Sequence, residues 1–208
     1  MGEFFYIKED ILTSLEKEIQ ENNRILLQKL KKEKNILNTL EFVKISFSKN
    51  LLEDIKFLNM LSGKDTFKIR HANIIIRDLL EQVIEFIYIM KNPKMVNDYM
   101  GTNININELD FQSNPVESLL HLGGDRYTKG RKSVSKMADG INPKITTNDN
   151  LSLYDMYRIL SEQSHNSYFN AILDNVEECE TGESNLALTE EQVTYISLII
   201  DYFLKEYR

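Results

Sequence analysis

The chain has 208 residues, 42% of them hydrophobic and 27% charged, which is enough apolar material for one core beneath an ordinary solvated surface. Its 25 basic and 32 acidic side chains give a formal charge of −7, so the surface as a whole does not attract polyanions, although a local basic site remains open. A single cysteine, Cys179, excludes an internal disulfide and a cysteine-rich zinc site, and three prolines with eight glycines argue against a turn-rich all-β fold.

The opening stretch MGEFFYIKED lacks the basic-then-apolar layout of a signal peptide, and Tyr6 stands where N-myristoylation needs Ser or Thr. No apolar run is long enough to span a bilayer. The expectation is a cytoplasmic protein with no membrane partner.

Helical periodicity begins at once. Ile7, Ile11, Leu15, Ile19, Leu26, Leu30 and Leu37 recur at spacings of four or seven between mixed charges, which predicts a long amphipathic helix over 7–38 with a break at Asn22 and Asn23. A second helix is predicted from Leu40 to Leu61, with Val43, Phe47, Leu51, Ile55 and Leu58 on its stripe, and Ser62 to Thr66 form a turn. The third, Lys68 to Met90, has the clearest period. Ile69, Ala72, Ile76, Leu79, Val83, Phe86 and Met90 repeat at three and four, Ile74, Ile75, Leu80, Ile84 and Ile87 widen the stripe, and Pro93 ends it. This is the helix expected to be most buried.

From Asn92 to Asn150 the period dissolves, with short helices predicted at Pro115 to Leu122 and Arg131 to Ala138. A connection of this length within a helical domain points to function or mobility. Helix returns near Leu151, and a last helix follows Thr189, whose trailing Glu190, Glu191 and Gln192 read as a helix start. The expected fold is all-α: an up-and-down bundle of about five main helices with a long irregular connection before the fourth. Residues 1–66 are expected to form an N-terminal helical hairpin and 67–208 the helical core, the two making one continuous domain.

Three histidines are present, and His165 follows Arg158 by two helical turns in YRILSEQSHNSYF, with Ser161 between them. An imidazole titrates near neutral pH and can move a proton either way, while a guanidinium grips phosphate with a two-pronged fork. Together they suit phosphodiester chemistry without a metal. Without a function, the same residues are a surface arginine and a histidine hydrogen-bonded within the bundle. Arg77 and Glu81, one turn apart on the third helix, form at least an i,i+4 ion pair. Their place on an apolar helix calls for further polar partners, with Arg158 or His165 in reach.

The segment DRYTKGRKSVSK, Asp125 to Lys136, sets Arg126, Lys129, Arg131, Lys132 and Lys136 against one acid, a local +4. Tyr127 could stack on a base there, and the segment is the best candidate for a nucleic-acid or nucleotide contact. Read blandly, it is a solvated loop. His121 and His71 read as a loop and a structural histidine. Glu162 and His165 make an E-x-x-H, but a di-iron bundle needs a second and none is present, so no metal or other cofactor is expected.

The arginine and histidine near the end of a late helix resemble the R-x4–6-H motif of HEPN domains. RDLLE (Arg77 to Glu81) with YRILSEQSH looks like an uncharacterised branch of that superfamily with R-x3-E and S-x3-H signatures, over roughly Lys68 to Ile172. The resemblance implies a homodimer whose motif helices meet, so that two Arg–His pairs share one cleft. It also implies metal-independent RNA cleavage through the ribose 2′-hydroxyl, in a toxin or antiviral defence role with an antitoxin or defence-system partner. Arg158 and His165 are then the catalytic residues, Ser161, Arg77 and Glu81 their support, and Arg126, Tyr127, Lys129, Arg131 and Lys132 the RNA contacts. Ile159 departs from the pattern, since active members commonly carry a polar residue after the arginine. Two other readings are a non-catalytic HEPN-like module that binds a nucleotide or protein, and a structural protein whose long first helix is an oligomerisation arm.

Overall fold

Packing against one helix organises the molecule. The computed structural model describes residues 7–32, 39–61, 69–96, 113, 133–141, 152–165, 172, 188 and 190–208, without the side chains of residues 61, 69, 70, 163 and 165. Among them are six α-helices: α1 (Glu9–Leu30), α2 (Leu40–Leu61), α3 (Ile69–Lys91), α4 (Val134–Ile141), α5 (Leu153–His165) and α6 (Glu190–Tyr207), with a single 3-10 turn at Pro93–Met95. The fold is all-α, as the periodicity requires, and no β-strand occurs among the described residues. Helix α3 touches α2, α4, α5 and α6.

The reason lies in its sequence. Leu79, Leu80, Val83, Ile84, Phe86, Ile87 and Ile89 are all at most 1% exposed, so the second half of α3 is apolar around most of its circumference and has to be covered on several sides. Phe86 sits at the centre, with its ring centroid 5.5 Å from Phe47 of α2 and 4.7 Å from Phe203 of α6. Tilted ring pairs at such separations add attraction beyond their buried area. One hydrophobic cluster runs through residues of all six helices.

Cross-helix contacts fix the directions. Asn23–Ser48 and Glu16–Lys56 make α1 and α2 antiparallel, and Asp54–Gln82 with Phe47–Phe86 do the same for α2 and α3. Asn73–Gln192, Phe86–Phe203 and Lys91–Glu206 run in step, so α6 lies parallel to α3. The first three helices therefore go up, down and up, and the last returns in the direction of α3.

Several details of the sequence reading change. Helix α1 ends at Leu30, with Lys31 and Lys32 in a turn, rather than continuing to 38. It is not broken at the asparagines: Asn23 is buried in the core-facing row Leu12, Leu15, Ile19, Asn23, Leu30, while Ile11, expected in that row, is 48% exposed. Ile74, expected to widen the stripe of α3, is 46% exposed. Helix α4 begins at Val134 and ends at Ile141, three residues later at each end than expected. The helix expected at Pro115 to Leu122 and the cap expected at Thr189 lie outside the described residues.

Asn23 is tolerated in the core because both ends of its amide are hydrogen-bonded. Its Nδ2 donates to Ser48 Oγ at 3.0 Å, its Oδ1 accepts from the Tyr207 hydroxyl at 3.0 Å, and Ser48 Oγ donates onward to the Ile45 carbonyl at 3.0 Å. This network ties α1, α2 and the end of α6 together at one point. Asn23→Ala removes the shared partner and leaves two hydroxyls in an apolar setting, so a loss of about 1–3 kcal/mol is expected in urea unfolding. A change within about 0.5 kcal/mol would show the network to be energetically idle.

A second polar point joins α2 to α3. Gln82 Nε2 donates to Asp54 Oδ2 at 3.2 Å and to Asp78 Oδ2 at 2.7 Å. Burial pushes the Asp54 carboxyl above the usual aspartate range, Gln82 partly offsets this, and the nearby carboxylates of Asp78 and Glu53 push it further up. A carboxyl raised on folding holds more protons in the folded state, so stability falls as pH rises from the ordinary aspartate range through the raised one. Asp54→Asn, which still accepts from Gln82, should be more stable than the wild type at neutral pH. The advantage should fade as both are titrated to acid, and denaturant unfolding across that range checks it.

Candidate functional site

Helix α5 begins on a reciprocal cap. Ser152 Oγ accepts from the Asp155 backbone N–H at 3.1 Å, and Asp155 Oδ2 accepts from the Ser152 N–H at 3.0 Å. The Ser152 hydroxyl, which donates to Asp155 Oδ2 at 2.6 Å, and then the Ser152 N–H, with the field of Arg158 behind them, hold the Asp155 carboxyl below its ordinary range against a cost of burial. From that start the helix turns Leu153, Met156 and Leu160 into the core, all at most 4% exposed. Tyr157 and Ser161, spaced by four, then lie along the flank next to the buried stripe, and His165 holds the next position of that register in the sequence.

Arg77 of α3 meets that row. Its Nε donates to Ser161 Oγ at 3.1 Å and its Nη2 to the Tyr157 hydroxyl at 3.2 Å. The guanidinium carbon lies 5.4 Å from the centre of the Tyr157 ring, and Tyr157 stacks on Tyr154 with centroids 6.4 Å apart and planes 19° from parallel. Glu81 Oε2 is 4.0 Å from Arg77 Nη2, an ion-pair distance but too long for a hydrogen bond. The bond to Tyr157, followed by the carboxylates of Glu81 and Asp78, pushes the Arg77 guanidinium further toward its charged form against a smaller cost of burial.

Several residues singled out from the sequence thus come together and others do not. Arg77 and Ser161 meet across the α3–α5 seam, and Glu81 flanks Arg77 one turn along α3. The partners Arg77 finds across the seam are Tyr157 and Ser161 rather than Arg158, and it is not a buried charge, since 29% of its side chain is exposed. Arg158 follows Tyr157 directly and precedes Ser161 by one turn. It is exposed at the outer edge of the same flank. His165 is the last residue of α5, two turns beyond Arg158, and its side chain lies outside the described residues. Arg126, Tyr127, Lys129, Arg131 and Lys132 lie outside them as well. Lys136 is exposed on α4, and His71 is half-buried on α3.

Tyr157 is the residue that reading the sequence missed. Its ring packs against the core as an apolar side chain of α5 would. Its hydroxyl stands four residues before Ser161 at the polar edge, and that spacing was the available signal.

Among the described residues no group of three or more His, Cys, Asp or Glu side chains could hold a metal ion. No helix among them is long and apolar enough to cross a membrane. Comparison with protein-family models, with curated proteins and with solved structures found no match to the chain.

Proposed function

We propose that the chain is a metal-independent RNA endonuclease of HEPN type, working as a homodimer in a toxin or antiviral defence role. The observation that carries this reading is the Arg77 guanidinium held by Ser161 and Tyr157. It ties the R-x3-E element of α3 to the S-x3-H element of α5, two signatures more than eighty residues apart in the chain. A purely solvated arginine would have no reason to take both neutral hydroxyls of one helix flank.

In this reading the ribose 2′-hydroxyl attacks the adjacent phosphorus while an imidazole removes its proton. The P–O5′ bond breaks, and the departing oxygen takes a proton from an imidazolium. Two copies of α5 face to face supply both groups as one His165 from each chain. The role of Arg158 is to stabilise, with its fork, the charge that grows on the phosphoryl oxygens. The products are a 2′,3′-cyclic phosphate and a 5′-hydroxyl. The basic segment Arg126 to Lys132 guides the RNA toward the flank.

The test is incubation of single-stranded RNA with the purified chain in EDTA, beside His165→Ala prepared in the same way. Cleavage by the wild type and intact RNA with the variant are expected. Equal behaviour of the two proteins overturns the enzymatic reading.

A binding-only module is the second reading, favoured by one observation: the Ser161 hydroxyl is already engaged by Arg77. A nucleotide that raises the melting temperature without turnover, with the shift lost in Arg158→Ala, would select it.

A further inference from the structure

We infer that Arg77 is itself a phosphate-binding group, with Tyr157 and Ser161 as its positioning residues, and that it grips the backbone of single-stranded RNA beside the phosphate held by Arg158. The inference rests on the ribonuclease reading above and gives Arg77 a direct role there in place of a supporting one.

Two arginines of the same molecule are held in different ways. Arg208 is held by Glu18, with Nε on Oε1 and Nη2 on Oε2 at 2.9 Å. A carboxylate that takes both prongs of the fork neutralises the cation and leaves it structural. Arg77 is arranged differently. Its Nε and Nη2 are each met by an oxygen, but both are neutral hydroxyls, which fix the plane of the guanidinium without cancelling its charge. The nearest carboxylate in an ion pair with it, Glu81, stands 4.0 Å away. The Nη1 group has no hydrogen-bond partner among the described residues, and the side chain is 29% exposed, so solvent or a ligand can reach it.

An oriented guanidinium with no carboxylate hydrogen-bonded to its fork is suited to an anion with oxygens in a plane or a pyramid. Arg158 adds a second one nearby, because residues three apart on a helix are surface neighbours and Ser161 is in contact with Arg77. Phosphate is the anion that fits a repeated pair of such groups along one flank. A backbone carrying successive phosphates, with its bases along the rim beside the partly buried Tyr154 and Tyr157, is single-stranded RNA.

The probe is a short single-stranded 2′-O-methyl oligoribonucleotide, which lacks the nucleophile and so binds without being cut. Its affinity for the full chain is read by fluorescence anisotropy across a salt series. Arg77→Met should weaken binding by about tenfold, the scale of a lost hydrogen bond to a charged group, and lower the slope of log affinity against log salt by about 0.7. Tyr157→Phe keeps the charge and the ring but frees the fork, so it should weaken binding by a smaller factor while the protein unfolds at an unchanged temperature. If the wild type binds and both variants match it in affinity and slope, the inference is overturned while the ribonuclease reading stands. If Arg77→Met does not fold, Tyr157→Phe alone decides on the same criterion. If the wild type neither binds this probe nor cuts natural RNA, both readings fall together.

Discussion

His165→Ala is expected to lower the rate of RNA cleavage by about 10²–10⁴-fold, with little change in the melting temperature. The size follows from what positioned proton transfer supplies in a transition state. In a symmetric site one imidazole takes the proton of the attacking hydroxyl and the other gives one to the departing oxygen, so removing both disables two transfers at once. Arg158→Ala should cost about 10²–10³-fold, the scale of losing one preorganised donor to a developing anion. Because both residues act in one step, the double variant should fall little below the worse single one. Single-turnover cleavage with a labelled RNA, read beside a thermal melt, separates these losses from unfolding. A rate for His165→Ala within a factor of two or so of the wild type would leave the residue without a chemical role.

Phe86→Ala carries the largest expected effect on stability, about 3–5 kcal/mol, because the side chain has no exposed surface and supports Phe47 and Phe203 from two other helices. A domain of ordinary stability has about 5–15 kcal/mol in all, so the variant should unfold at much lower denaturant and lose much of its population at raised temperature. Phe86→Leu fills most of the space and should cost about 1.5 kcal/mol or less. Guanidinium unfolding of the two variants gives the order directly. A loss below about 1 kcal/mol for Phe86→Ala would mean that the neighbouring rings close the gap, and that α3 is less central than its burial implies.

What could be read from the sequence follows from how each feature is encoded. Helix α2 has the bounds read from its apolar period, and α3 is one residue out at each end, because a stripe at three and four repeats many times in each. The end of α1 is not legible: KLKKEK carries no glycine or proline to mark a stop, so the apolar spacing in the sequence continues to Leu37 past the turn at Lys31 and Lys32. Asn23 read as a break because an amide in an apolar row is costly unless partnered. Its partners, Ser48 and Tyr207, are 25 and 184 residues away. Ile11 and Ile74 show the opposite limit, since aliphatic side chains also sit on surfaces and periodicity near the edge of a stripe does not say which side they take.

The site divides in the same way. Arg77, Glu81 and Ser161 stood out because charges and hydroxyls interrupt apolar helices, and that is a local signal. That Arg77 would reach Ser161 across 84 residues is a matter of how α3 and α5 dock, which no local spacing encodes. Tyr157 was hidden by its own chemistry: the ring satisfies the core pattern, and only the hydroxyl belongs to the seam.

The central claim is that the α5 flank carries out phosphodiester transfer to a neighbouring 2′-hydroxyl, and the chemistry of the cut ends tests it most directly. RNA cleaved in EDTA by the wild-type chain should carry a 2′,3′-cyclic phosphate on one fragment and a 5′-hydroxyl on the other, with neither formed by His165→Ala. A 3′-hydroxyl with a 5′-phosphate, cleavage that needs added metal, or RNA left whole by the wild type would contradict the account.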